Sequence, residues 1–339
     1  MQIRENISLR PYNTFGIDAK AKYFAGFESA EALEDLLENA KVKSQNSKLI
    51  LGGGSNMLLT KDVDGIVMRN EIAGIGVTHE DEHHVYVRAG AGENWHKLVM
   101  YCVENGFAGM ENLSLIPGNV GASPMQNIGA YGVEIRDVFH ELEAYHLHDK
   151  TAVKFSLAEC EFGYRESVFK RKYKGQFVIT SVTYRLDKKP TFHTSYGAIQ
   201  QELEKMGVQE LSISAISKAV ISIRTSKLPD PKEVGNAGSF FKNPQVSKDH
   251  FTQLQSRFPA IPSFPFDEQQ VKVPAGWLIE QCGWKGFRRG DAGCYPKQAL
   301  VLVNYGRATG DEIYELSEEI LQSVKKKFSI QLEREVNIL

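Results

Sequence analysis

Residues 115–132, LIPGNVGASPMQNIGAYG, constrain the fold more than any other stretch. Irregular segments of this length inside a compact domain are usually functional or disordered. The apolar residues along this one argue against disorder. Gly118, Gly121, Gly129 and Gly132 remove side chains where something flat or bulky approaches, and Asn119, Ser123, Gln126 and Asn127 offer hydrogen bonds. A second glycine stretch precedes it: LILGGGSNMLL, 49–59, reads as a strand that delivers Gly52, Gly53 and Gly54. Successive glycine N–H groups form an anion nest, although a tight strand-to-turn bend explains the triplet equally well. The triplet is no Rossmann fingerprint, because Met57 stands where the third glycine belongs. Neither is it a P-loop, since no Gly-Lys-Ser/Thr follows. Together the two stretches read as backbone walls around a dinucleotide-sized ligand.

The rest of the chain alternates helical and extended patterns, an α+β class. Ala30, Leu33, Leu36, Leu37 and Ala40 recur on one helix face over 29–41, and Glu93–Asn105 repeats the pattern with Trp95, Leu98, Val99 and Cys102. Hairpins are expected around the acidic turn before His84–Arg88, and between Glu141–His146 and Thr151–Leu157. Gln176–Leu186 reads as a strand and 214–224 as a helix. Leu228-Pro-Asp-Pro231 breaks the chain and marks a domain boundary. Beyond it, helices are expected over Lys248–Phe258 and Gly276–Cys282, and a strand over Gln298–Asn304. Thr309-x-x-Glu312 forms a capping box at the head of a long helix. The closing SIQLEREVNIL alternates, with Ile330, Leu332, Val336 and Ile338 on one face and Gln331, Glu333, Glu335 and Asn337 on the other.

Bulk properties exclude several function classes. At roughly 150 residues per domain, 339 residues suggest about two domains. The formal net charge of -2 argues against a protein that coats nucleic acid or an anionic membrane. The four cysteines form no C-x-x-C pair, and their scattered use fits a reducing cytosol. The opening MQIRENISLRPYN lacks the apolar run of a signal peptide, and no stretch approaches the ~18 apolar residues of a membrane span. A cytoplasmic protein is expected, with no bound metal.

Three further stretches carry candidate chemistry. Phe162-Gly163-Tyr164-Arg165-Glu166-Ser167 places an arginine that meets a carboxylate or phosphate, or else an Arg–Glu surface pair. In GNAGSFFKNP, 235–244, Ser239 suggests a nucleophile, yet Phe241 breaks the G-x-S-x-G elbow and the histidine spacing nominates no triad partner. Ser239 is then either a turn-capping residue or a proton donor beside a reacting carbon. Glu333 or Glu335 serves as an acid or charge partner if the terminal strand edges a cleft, and the period does not choose between them.

Taken in order, these motifs resemble one family. N-T-F-G-I at 13–17, L-G-G-G-S-N at 51–56, A-G-E-N-W at 91–95, the I-P-G-N-V-G-A-S-P-x-Q-N-I-G-A-Y-G run, F-G-Y-R-E-S, T-S-K-L-P-D-P, G-N-A-G-S-F-F-K-N-P and the final L-E-x-E-V are similar to those of the UDP-N-acetylenolpyruvoylglucosamine reductases. The resemblance implies a flavin fold of the vanillyl-alcohol-oxidase type: an FAD lobe over 1–70, a second over 71–225, a smaller α+β substrate-binding domain over 226–328, and a terminal strand over 329–339. It implies non-covalent FAD, reduced by NADPH as co-substrate, and a sugar-nucleotide substrate whose enolpyruvyl group takes hydride from flavin N5. The product is UDP-N-acetylmuramate for peptidoglycan, which places the protein in cell-wall biogenesis, cell shape and division. A monomer without nucleic-acid or membrane partners is expected.

Residue by residue, the resemblance implies Ser239 as the proton donor, with Glu335 and Arg165 holding the substrate carboxylate and stabilising the enolate. It assigns Gly52, Gly53, Gly54, Ser55, Asn56, Pro117, Gly118, Gly121, Ser123, Asn127, Gly129 and Arg224 to the cofactor. Tyr164, Tyr196, Lys227, Asn243 and Gln298 fall to the sugar nucleotide. Tyr196 and its surroundings match the longer form of the family, with a tyrosine loop over the substrate. Two rivals are an FAD oxidase acting on a sugar or lactone, and a nucleotide-sugar sensor without the chemistry. Neither glycine stretch carries the histidine with which such oxidases often link flavin covalently, and a sensor's mark would be the loss of Ser239, Arg165 or Glu335.

Overall fold

A computed structural model describes residues 2–339; Met1, the first residue of the expected first lobe, lies outside them. The chain divides into two compact units. The first takes in the residues up to Ile7, Ala21–Gly53 and Val63–Ser226, and the second Ser8–Lys20, Gly54–Asp62 and Lys227–Leu339.

The first unit begins with a four-stranded sheet in the order Arg4–Ser8, Lys20–Phe27, Val63–Asn70, Lys48–Leu51. Val63–Asn70 pairs in parallel with the strands on both sides. Parallel neighbours need a crossover, which helix α1, Ala30–Glu38, supplies. Ser29 starts it by accepting a bond from the Ala32 N–H at 3.1 Å. The single helix expected over 29–41 is broken at Asn39, whose backbone is extended and whose side chain caps a short helix α2, Ala40–Lys43. An asparagine that bonds forward to its own backbone competes with helix continuation, which is why the periodic pattern overran.

The second sheet of this unit has five strands in the order Thr151–Ser156, Phe139–His146, Phe177–Asp187, His84–Gly90, Ile75–Glu80. Every neighbouring pair is antiparallel, and both expected hairpins are present. Helix α3, Trp95–Glu104, is capped by Asn94. It buries Trp95, Leu98, Val99 and Cys102 among Val85, Val87, Val182 and Tyr184 of the sheet. Trp95 meets Tyr184 edge-on at 5.8 Å, and its indole N–H reaches the Leu113 carbonyl at 2.9 Å. That bond buries a tryptophan without leaving its donor unpaired. Helix α4, Gly197–Lys205, has no counterpart in the sequence reading. Among its described residues Ile199 and Leu203 alone are buried, too few apolar positions to declare a period. It packs on helix α5, Ile213–Lys227, through Ile216, Ala219, Val220 and Ile223.

In the second unit, Gly235–Asn236, Leu302–Asn304, Ala292–Cys294 and Arg288–Arg289 form an antiparallel sheet in that order. The strand expected over Gln298–Asn304 shortens to its last three residues, because Gln298 starts a turn in which the Val301 N–H returns to its carbonyl at 3.1 Å. Helix α6, Lys248–Arg257, and helix α7, Ala275–Gln281, precede helix α8, Gly310–Phe328. The Thr309/Glu312 capping box is formed as expected, and Ile313, Leu316, Ile320, Val324 and Phe328 make the buried stripe of α8. Early segments complete this unit: the Asn236 N–H bonds to the Thr14 carbonyl at 3.0 Å, and the Asn304 amide to the Phe15 carbonyl at 2.9 Å.

The closing segment is extended but only partly paired. Arg334 bridges Phe241, and Asn337–Ile338 lies parallel to Met57–Leu58. Ile330, Leu332 and Val336 are buried while Ile338 is only partly so. Arg334 fastens the segment to α8 by reaching the Ser317 hydroxyl at 2.9 Å and Glu318 at 2.6 Å.

Candidate functional site

In the first unit the two glycine stretches meet. Strand Lys48–Leu51 ends at Gly52, and Gly53 then packs on the long loop so closely that a Cβ there would lie 2.8 Å from Asn119 Oδ1 and 2.9 Å from Gly118 Cα. Glycine is required at position 53 by this approach. Gly121 fits equally tightly against Ala91. The long loop is built from two single turns, Val120–Ala122 and Pro124–Gln126, and the small hairpin Gly129–Ala130 with Val133–Glu134.

Two expected cofactor residues use their side chains inside this loop. The Ser123 hydroxyl donates to the Val120 carbonyl at 2.7 Å and pairs with the Tyr184 hydroxyl at 2.8 Å. Asn127, fully buried with a left-handed backbone, donates to Glu134 at 2.8 Å and to the Gly163 carbonyl at 3.1 Å, and accepts from the Arg136 N–H. They therefore shape the loop.

The same loop gathers the F-G-Y-R-E-S stretch. The Arg165 guanidinium donates to the Gly129 carbonyl at 2.7 Å and lies 5.4 Å from the Tyr164 ring centre. The Ser167 hydroxyl, buried, donates to the Met125 carbonyl at 2.7 Å. With the Asn127–Gly163 bond, these contacts tie two segments far apart in sequence into one wall. Ser167 was legible only as the last letter of a motif.

Arg224, on α5, points at the base of the loop and donates to the Leu115 carbonyl at 3.2 Å. Burial pulls its guanidinium below the usual arginine range, and the hydroxyl of Tyr131 beside it works in the opposite sense. His96 is lowered as well, first by burial and then by the Arg224 charge. Among the described residues no carboxylate pairs with Arg224. A half-buried cation without a carboxylate partner suits an anionic ligand. Tyr196, half-exposed at the start of α4, meets Tyr131 edge-on at 5.7 Å, and Lys227 is the exposed last residue of α5.

In the second unit Gly238 adopts a left-handed backbone and its N–H bonds to the Asn236 side chain at 3.0 Å. The turn presents Ser239 to solvent while Phe240 and Phe241 beside it are fully buried. The 240–242 backbone pairs with the closing segment: the Glu335 N–H donates to the Phe240 carbonyl at 2.9 Å, and the Lys242 N–H to the Glu333 carbonyl at 2.8 Å. Lys242, 7% exposed, also pairs its ammonium with Glu333 at 2.5 Å. Glu333 is thus engaged by a buried lysine that sequence reading gave no role. Asn56 sits against Glu335 as well, its amide reaching the Glu335 carbonyl at 3.3 Å. Ser239, Glu335, Ser55 and Asn56 therefore belong to one neighbourhood of this unit. Asn243 and Gln298 converge elsewhere in it, at the head of α7: Asn243 accepts from the Ala275 N–H at 2.9 Å, and a Cβ on Gly276 would lie 2.8 Å from Gln298 Oε1.

Burial pushes the Cys102, Cys160 and Cys294 thiols up to about 12 and raises that of partly exposed Cys282 as well, the opposite of an activated thiolate. Among the described residues no cluster of His, Cys, Asp and Glu is placed to hold a metal ion, and no helix is long and apolar enough to cross a membrane.

Comparison with known proteins gives two family matches along the chain. Residues 21–155 match the model of the FAD binding domain, and residues 230–339 that of the UDP-N-acetylenolpyruvoylglucosamine reductase C-terminal domain. The reductase of Flavobacterium johnsoniae is 52% identical with all of both chains covered, and that of Amoebophilus asiaticus 51% with the same coverage. The reductase of Chromobacterium violaceum is 48% identical over 100% of this chain and 99% of its own. A crystal structure of the corresponding reductase from Thermus caldophilus superposes with a TM-score of 0.70 over 99% of each chain at 24% identity, which speaks for the fold. The α+β class and the FAD-binding fold of the vanillyl-alcohol-oxidase type expected from the sequence both hold. With full-length relatives at this identity and its two halves matched in order, the chain belongs to the UDP-N-acetylenolpyruvoylglucosamine reductase family.

Proposed function

We propose that this protein is the NADPH-dependent, FAD-mediated reductase that converts the enolpyruvyl group of UDP-N-acetylglucosamine enolpyruvate to the lactyl group of UDP-N-acetylmuramate. Full-length relationship to reductases of that name supports the reading. The observation in this chain that carries it is Arg224: a half-buried guanidinium without a carboxylate partner among the described residues, aimed at the base of a glycine-walled loop. That donor set fits a non-covalent FAD diphosphate, which needs fixed cations and exposed N–H groups. In this reading Gly52, Gly53, Gly54, Ser55 and Asn56 serve the cofactor. Pro117, Gly118, Gly121, Ser123, Asn127 and Gly129 of the long loop serve it as well, with Ser123 and Asn127 also holding the loop in shape.

When bound, FAD supplies hydride transfer from NADPH to the methylene carbon of the enol ether. The chain's own residues do the rest. Arg165, and Glu335 as a neutral acid that donates its O–H, hold the substrate carboxylate and favour the negative charge that develops beside it, an effect largest where water is excluded. Ser239, solvent-facing on its turn, gives a proton to the adjacent carbon. Tyr164, Tyr196, Lys227, Asn243 and Gln298 receive the sugar nucleotide and its diphosphate. In this reading FAD is held by lobes over 1–70 and 71–225, the substrate by 226–328 and the terminal segment 329–339. The protein works as a cytoplasmic monomer in peptidoglycan synthesis, and so bears on cell shape and division.

The purified protein is expected to be yellow and to release FAD on denaturation. NADPH added under argon is expected to bleach its visible absorbance. A colourless protein that takes up no FAD would refute the proposal.

A further inference from the structure

Asn112 is 1% exposed and uses both hydrogens of a single side-chain amide on carbonyls from distant segments. Its Nδ2 donates to the Tyr131 carbonyl at 3.0 Å and to the His193 carbonyl at 2.8 Å. Tyr131 ends the glycine-walled loop with a left-handed φ of 51°, a conformation that costs free energy for a bulky residue and persists only when its surroundings hold it. His193 lies three positions before Tyr196, and Tyr196 returns to pack edge-on against Tyr131 at 5.7 Å. The amide thus closes a ring: Asn112, the Tyr131 backbone, the two tyrosine rings, and the 193–196 chain back to Asn112.

Beneath the ring, Phe192 and Tyr131 cover the Ile199, Leu203, Ile216 and Val220 cluster. Next along the chain, Glu111 is buried and bonded to the Gly109 N–H at 2.7 Å. This floor is too apolar to supply substitute partners for two orphaned carbonyls.

We propose that Asn112 is a positioning residue for the sugar-nucleotide side of the reaction: it fixes the Tyr196 segment against the Tyr131 corner of the flavin loop. The inference rests on the reading of Tyr196 as a substrate-side residue. Asn112 acts through the tyrosine pair; its own bonds reach the Tyr131 and His193 carbonyls, whereas the Arg224 guanidinium is also held by the Leu115 carbonyl. Its loss therefore bears on the half-reaction that uses the sugar nucleotide.

The test is steady-state and anaerobic half-reaction kinetics of the holoenzyme carrying Asn112→Leu, Tyr196→Ala, or both. Leucine keeps the volume and removes the donors; aspartate is avoided because it would place a second carboxyl beside buried Glu111. Asn112→Leu is expected to raise KM for the enolpyruvyl sugar nucleotide about tenfold, with reduction by NADPH changed less than about twofold. In the Tyr196→Ala background the same change is expected to add little, since the partner it positions is gone. If Asn112→Leu fails to retain FAD, Asn112→Ser, which keeps one donor, carries the test with a smaller shift in the same direction. A KM that stays put while Tyr196→Ala raises it, or full additivity of the two changes, would overturn the role of Asn112 alone. A Tyr196→Ala protein with unchanged KM would overturn the reading of Tyr196 and the inference with it.

Discussion

Ser239→Ala is expected to slow re-oxidation of the reduced enzyme by the enolpyruvyl sugar nucleotide by about a hundredfold or more, the range lost when a general acid is removed. Reduction by NADPH is expected to stay within about twofold, because no proton from position 239 is needed in that step. The structure makes the substitution a clean one. The side chain faces solvent on a turn whose conformation is set by Gly238 and Asn236. Phe240 and Phe241 anchor the segment, and the Phe240 N–H is held by the Leu300 carbonyl at 2.9 Å. Alanine adds no volume and removes one hydroxyl. Anaerobic stopped-flow traces of both half-reactions check the result. Equal slowing of both would assign Ser239 a structural role, and no slowing would remove it from the chemistry.

The second large effect is expected from Arg224→Met. The guanidinium contacts the Leu115 carbonyl and Tyr131 and has no carboxylate partner among the described residues. Removing it relieves a half-buried charge, so the protein itself is expected to fold at least as well. Cofactor affinity moves the other way. A charge-assisted hydrogen bond contributes about 1.5–3 kcal/mol, so the FAD dissociation constant is expected to rise about 10- to 150-fold. Arg224→Lys keeps the charge but loses the planar fork and is expected to fall between the two. Fluorescence titration of the apoprotein with FAD, run beside a thermal melt, checks both halves. A protein that loses FAD and also melts early would point to a structural role instead.

Much of the fold was written in periodicity, and the places where it was not have local causes. The breaks at Asn39 and Gln298 are side-chain or turn hydrogen bonds that compete with a regular pattern, and apolar spacing carries no trace of them. Helix α4 escaped because two buried residues, Ile199 and Leu203, do not make a period. The candidate site was legible as motifs rather than as geometry. The glycines showed that two walls exist; that they touch through Gly53 and Gly118 needed coordinates. That Ser123 and Asn127 bond within the loop could not be read from the sequence, because those partners are brought to them by folding. Glu333 and Glu335 were equivalent by alternation. That Lys242, a residue distant in sequence, pairs with Glu333 is equally invisible to alternation. Asn112 had no signal at all, since a buried amide linking two carbonyls leaves no spacing rule behind.

The central claim is that reduced flavin in this protein is oxidised by an enolpyruvyl sugar nucleotide. The most direct measurement is the recovery of visible absorbance after stoichiometric NADPH has bleached the enzyme under argon. Addition of the enolpyruvyl sugar nucleotide is expected to restore the colour in a single turnover without oxygen, with UDP-N-acetylmuramate formed in equal amount. Colour that returns only when air is admitted would contradict the account and favour an oxidase.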